Sequence, residues 1–114
     1  MTTDAKLIME EVCKTLNIPK EKVLSKSRMT EIIDARYLCV YFIKKYTKNT
    51  SLKTIGKWFK RVDNGSAHSF TIYALRKTEM WLKVDSDFTN KYNKCTNTLM
   101  FYNKDINFNN VPQY

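Results

Sequence analysis

The segment TEIIDARYLCVYFIKKYTKNT, residues 30–50, constrains the fold of this chain more than any other stretch. Its side chains Ile32, Ala35, Cys39, Phe42 and Tyr46 trace the i, i+3, i+7 stripe of an α-helix. Such a stripe needs partners along its whole length, so the aromatic residues here read as core. Lys44, Lys45 and Lys48 gather at the C-terminal end, where the helix dipole favours cations. A chain of 114 residues is the size of one small domain, so the partners of this helix must come from the segments on either side.

Those segments are helical too. In TDAKLIMEEVCKTL, Leu7, Ile8, Val12 and Leu16 recur at helical spacing, with Asp4 placed to cap the N-terminus. NIPKEKVLSKSR follows, with Pro19 suited to a short helical turn and Lys22, Lys26 and Arg28 making the next connection basic. In SLKTIGKWFKRVDNG, Ser51 is the N-cap, Ile55, Trp58 and Phe59 form the buried side, and Asn64-Gly65 is the stop. SAHSFTIYALRKTEMWLKV then restarts a helix whose Phe70, Ala74, Leu75, Thr78, Trp81 and Leu82 face inward. A short helix, a turn and a longer helix with a polar leading end are the parts of a helix-turn-helix. On the longer helix, Ser66, Ser69, Tyr73 and Arg76 fall on the outward face. Free backbone N–H groups at the Ser66 end suit a phosphate, Ser and His side chains can bond base edges, and Arg76 can neutralise backbone charge or reach guanine.

Charge points the same way. Twenty Lys and Arg against 11 Asp and Glu give a net charge of +9 and a pI near 9.5, which favours polyanionic partners: nucleic acid first, an anionic membrane surface second. No run approaches the roughly 18 apolar residues that span a bilayer, and the N-terminus MTTDAKLIMEEV carries acids where a signal peptide is basic and apolar. A cytoplasmic, nucleoid-associated protein is expected. Cys13, Cys39 and Cys95 are odd in number and far apart, with no C-x-x-C pair, so neither a disulfide framework nor a zinc site is expected, and Cys13 and Cys39 read as reduced core residues. His68 is the only histidine, and no Ser-His-Asp set or phosphate-binding glycine loop accompanies it, the two glycines being Gly56 and Gly65. No enzyme activity, cofactor or metal is expected.

In order and spacing, LSKSR, EIIDARYLCVYFIKKYT, SLKTIGKWF and GSAHSFTIYALRKTE resemble the C-terminal DNA-binding domain of the bacterial replication initiator DnaA, over about two-thirds of the chain from Leu7 to Trp81. The resemblance implies an all-α, Trp-repressor-like helix-turn-helix bundle that binds duplex DNA. The second helix of the motif would enter the major groove, and the basic loop before the long helix would reach a neighbouring minor groove. Carried over, Lys26 and Arg28 sit in that loop, Arg36 contacts phosphate, Ser51 and Leu52 begin the positioning helix near the backbone, and His68 and Ser69 belong to the base-reading signature.

This chain departs from the family's pattern at several of those places. Ser66 and Ala67 stand where the family has an Arg-Asp pair, and Thr30 stands where the loop has its minor-groove arginine. Lys60 to Asp63 form an insertion close to one helical turn, which either extends the positioning helix or makes Lys60 and Arg61 a basic loop of their own. The ATPase module that accompanies this domain in DnaA has no counterpart in the sequence. The expected role is therefore sequence-preferring binding of double-stranded DNA, in replication initiation or transcription control, without ATP hydrolysis.

The last segment, DFTNKYNKCTNTLMFYNKDINFNNVPQY, changes character, with asparagines recurring between aromatics. A helix-turn-helix domain over residues 1–86 and an Asn/aromatic-rich extension over 87–114 is the expected division. TLMFY reads as a strand and NKD as a turn into INF, making a short hairpin, with an irregular Asn-rich arm as the alternative. Its density of Phe and Tyr favours an ordered extension that covers the bundle or docks a second protomer or partner. A second function class follows: a protein-interaction or virion structural protein that keeps the helix-turn-helix as scaffold and binds through this tail. Loss of the Arg-Asp pair is what that reading expects, and truncation at Asp85 would separate the two.

Overall fold

The computed structural model describes residues 1–47, 50–59 and 66–101, with the backbone alone described at position 101. Among these residues there are six helices and no strand: α1 Thr3–Leu16, α2 Lys20–Val23, α3 Thr30–Tyr46, α4 Leu52–Phe59, α5 Ala67–Val84 and α6 Ser86–Phe101. The boundaries follow local chemistry. Thr2, rather than Asp4, caps α1: its hydroxyl accepts from Ala5 N–H at 3.2 Å, and Asp4 sits in the first turn, where the helix dipole favours an acid. The helix ends at Asn17, in the left-handed conformation at φ 57°, with Ile18 N–H bonded to the Cys13 carbonyl at 2.9 Å. Pro19 stands just before α2 as its N-cap.

Helix α3 is the centre of the bundle, and its burial exceeds a single stripe. Ile32, Ala35, Leu38, Cys39, Val40, Phe42 and Ile43 are all buried, because α1, α2, α4 and α5 pack around it. The expected Ile32, Ala35, Cys39 and Phe42 are in the core, and Tyr46 is half-buried at its edge. Helix α1 contributes Ala5, Ile8, Met9 and Val12, and α5 packs against α3, α4 and α6. All three cysteines are buried and free. Burial pushes the Cys95 thiol up to about 12 and holds Cys39 well above the usual thiol range. A hydrogen bond from Cys39 lowers Cys13.

The hairpin expected at TLMFY is overturned over its described residues. Thr98 to Phe101 close a sixth helix that packs on α1 and α5. Phe88, Cys95 and Leu99 are fully buried, and Tyr92 stacks on Phe42 with ring centroids 5.2 Å apart. These positions recur at i, i+4, i+7 and i+11, so the segment meets α1 and α3 with helical period; burial of that stripe outweighs the β-propensity of a few aromatic residues. Thr98 bonds Thr15 of α1 at 3.0 Å, and Lys91 pairs with the buried Asp34 of α3 at 2.7 Å. The joint at 85–86 is tight: the Asp85 carboxylate accepts from Phe88 N–H at 3.1 Å, and Thr89 returns a hydrogen bond to Leu82 O. The core thus runs across the division drawn at 86/87. The NKD turn and INF strand lie outside the described residues.

Candidate nucleic-acid interface

The short and long helices of the proposed motif are locked together at a glycine. A Cβ on Gly56 of α4 would lie 2.1 Å from the Ala67 carbonyl oxygen and 2.8 Å from its Cα, so the first turn of α5 presses directly on the α4 backbone. Thr71, fully buried, fastens the pair by donating to Leu52 O at 2.7 Å, and it also lies 3.2 Å from Ala67 O. Ile55 and Phe59 fill the space beneath, with Phe59 against Phe70. The fully buried row of α5 is Thr71, Ala74 and Thr78, with Ala67 nearly so. The larger Phe70, Leu75, Trp81 and Leu82 flank it half-buried. Small residues on this row let α5 lie close to its neighbours.

Both helices begin at serine caps. Ser51 Oγ accepts from Thr54 N–H at 3.1 Å, and Ser66 Oγ accepts from Ser69 N–H at 2.9 Å. Ser66 also donates to the Ser69 hydroxyl at 2.8 Å. Ser66, Ser69, Tyr73 and Arg76 are exposed, as the spacing predicts, and His68 is exposed as well, with Tyr73 53 % exposed and Lys77 Nζ 5.4 Å from its ring centroid. Leu52 is half-buried at the start of α4. Ala67 is turned into α4, so the position of the family's acidic residue does not face outward.

Arg36 is placed otherwise than expected. Its side chain is buried, 2 % exposed, and reaches back into the basic loop: Nε donates to Val23 O at 2.9 Å, and Nη2 donates to Ser25 O at 2.7 Å and Ser27 O at 3.0 Å. Through these three carbonyls Arg36 braces the loop that carries Lys26 and Arg28, both of which are exposed. Between that loop and α5 lies a cleft of about 490 Å³ lined by Arg28, Ile33, Arg36, Tyr37, Phe70 and Tyr73. Tyr37 stacks on Trp81 at 5.7 Å and meets Phe70 and Tyr73 edge-on, which fixes the cleft's aromatic wall. Lys60 and Arg61 lie outside the described residues.

A sequence profile described as bacterial dnaA protein helix-turn-helix matches residues 5–78, from α1 through most of α5. The chain belongs to the bacterial DnaA helix-turn-helix family. It is 34 % identical over 84 residues to the chromosomal replication initiator protein DnaA of Mycoplasma genitalium, an alignment covering 73 % of this chain and 18 % of that protein. It is 39 % identical over 72 residues to the DnaA of Gloeobacter violaceus, covering 63 % and 15 % respectively, and 38 % identical over 73 residues to that of Thermodesulfovibrio yellowstonii, covering 64 % and 16 %. The chain thus spans under a fifth of the length of these DnaA relatives. Within the matched region, Gly56 and Thr71 escaped the reading of the sequence. Their signals were a glycine inside a helical run and a polar β-branched residue amid an inward-facing row.

Proposed function

We propose that this DnaA-family domain binds double-stranded DNA with a sequence preference and acts in the control of replication initiation or of transcription. The observation that carries the reading is the placement of two unlike surfaces side by side. The exposed face of α5, with Ser66, His68, Ser69, Tyr73 and Arg76, stands across one cleft from the braced loop that carries Lys26 and Arg28. An α-helix with a polar leading end fits the major groove, where base pairs can be told apart, while loop cations neutralise phosphates whatever the sequence. The replication role rests on what the relatives are named. With Ser66 and Ala67 in place of the Arg-Asp pair, the preferred sequence differs from the family's usual target.

The test is fluorescence anisotropy on a randomised duplex and on a DnaA-box duplex, across a salt titration from about 50 to 200 mM. Arg28→Ala is expected to weaken binding to every duplex and to reduce the salt slope by about one. His68→Ala or Ser69→Ala is expected to change the ranking of sequences, each good base contact being worth about 1–3 kcal/mol. Equal losses on every duplex from both kinds of variant would sink this division of labour. Binding that is weak, equal on both duplexes and abolished by salt would sink the sequence preference.

A further inference from the structure

Free thiols come from three different helices, Cys13 of α1, Cys39 of α3 and Cys95 of α6, and nothing in the DNA-binding reading uses them. They are not equivalent. Cys13 is 5 % exposed while Cys39 and Cys95 are wholly covered, so Cys13 is the one that a small solute can reach. Cys39 stands directly behind it, its S–H donating to Cys13 Sγ. That hydrogen bond, with Lys20 assisting, holds Cys13 below the usual thiol range against the opposing effect of burial. Burial holds Cys39 and Cys95 above it. A thiol of enhanced thiolate character at the rim, touching a second one sealed beneath it, is the arrangement of an attacking and a resolving cysteine.

Both residues sit at anchored points of the backbone. The Cys13 carbonyl accepts from Ile18 N–H at 2.9 Å where α1 ends, and Cys39 lies one turn along α3 from Arg36, whose guanidinium holds the Val23, Ser25 and Ser27 carbonyls. A bond between the two sulfurs would close a covalent ring round α2, the basic loop and the first half of α3. We propose that Cys13 and Cys39 are a modification site for a small hydroperoxide, which joins them as a disulfide and ties down the loop that carries Lys26 and Arg28. In the first step the Cys13 thiolate attacks one peroxide oxygen and the O–O bond breaks. Cys13 becomes a sulfenic acid, and the departing hydroxide takes up the proton that Cys13 gave up on ionising. In the second step Cys39 Sγ attacks Cys13 Sγ, the S–O bond breaks, and the Cys39 proton leaves with the oxygen as water. The paired sulfurs together give up two electrons, and hydrogen peroxide is reduced to two waters. Ring closure restricts local opening of the enclosed segment, as a cross-link restricts any chain it spans.

The experiment treats the fully reduced full chain with hydrogen peroxide, removes the peroxide with catalase, alkylates the remaining thiols in denaturant and maps the peptides. The wild type is expected to lose alkylation at Cys13 and Cys39 together, to yield a linked peptide about 2 Da lighter than its two parts, and to keep Cys95 as a thiol. In the folded chain Cys13 should react at least about tenfold faster than Cys95, and the difference should vanish in urea. Cys39→Ala should stop at a Cys13 sulfenic acid that dimedone traps, and Cys13→Ala should leave Cys39 and Cys95 reduced. Hydrogen exchange across residues 24–29 should slow on oxidation. All three thiols still alkylated, Cys95 reacting as fast as Cys13 in the fold, or a link that joins Cys95 or two chains instead, overturns the pair. A Cys13–Cys39 link that leaves exchange across residues 24–29 unchanged overturns its hold on the loop. The wild-type measurements decide both points even where a variant fails to fold, and none of them uses DNA, so their outcome is separate from that of the DNA-binding reading.

Discussion

Gly56→Ala sets two effects against each other, and the structure decides which wins. Alanine at an interior helical position is favoured over glycine by about 1 kcal/mol, so on propensity alone the change should stabilise α4. Against this, the new Cβ would lie 2.1 Å from the Ala67 carbonyl oxygen, 2.6 Å from its carbon and 2.8 Å from its Cα. A carbon–oxygen contact sits near 3.3 Å, so the helices must part by about 1.2 Å. All three obstructing atoms are backbone, so no rotamer relieves the clash. Overpacking of this kind costs about 1–3 kcal/mol or more, and the shift would also strain the Thr71–Leu52 hydrogen bond at 2.7 Å, worth about 1 kcal/mol. The net expectation is destabilisation by about 2 kcal/mol, read as a fall in melting temperature of roughly 8 °C by circular dichroism. Ala67→Gly should not rescue it, since removing a side chain does not move the obstructing backbone. A melting temperature equal to or above the wild type would refute the claim that α4 and α5 are in backbone contact at this point.

Three further outcomes are expected. Arg36→Gln should increase hydrogen exchange across residues 24–29 and weaken DNA binding while leaving the salt slope unchanged, because Arg36 braces carbonyls; a slope reduced by about one would restore it to the phosphate contacts. Leu99→Ala should cost about 2–5 kcal/mol in urea denaturation, and a chain ending at Asp85 should unfold, since α6 supplies Phe88, Cys95 and Leu99 to the core; a shortened chain that melts like the full one would contradict that packing. Stability should fall above about pH 9. Cys39 and Cys95 are held protonated in the fold while the unfolded thiols ionise, so the unfolded state binds fewer protons there, an effect partly offset by the lowered Cys13. Stability unchanged between pH 9 and 11 in a denaturant titration would show that the thiols ionise as readily in the fold as in the unfolded chain.

The order of α1, α3, α4 and α5 was legible in the sequence because each carries its own 3.6-residue pattern and a local start or stop, while α2 was marked only by Pro19. Ser51 and Ser66 cap helices where a serine precedes an apolar-periodic run, and the outward face of α5 follows from spacing alone. Periodicity is a property of one segment, however, and says nothing of what lies opposite. The period of α6 was present in Phe88, Tyr92, Cys95 and Leu99, yet the intervening asparagines and aromatics read as easily as strand or arm until α1 and α3 were seen to receive that stripe. The resemblance put Arg36 on phosphate, and only the fold shows the carbonyls of Val23, Ser25 and Ser27 converging on it. Gly56 is a single letter until α5 lies across it. The sequence by itself determined that α1, α3, α4 and α5 are helices and which faces they offer. The tertiary structure alone decided which polar groups are drawn inward, because the partner that satisfies a buried donor, or the backbone that excludes a Cβ, comes from a distant part of the chain.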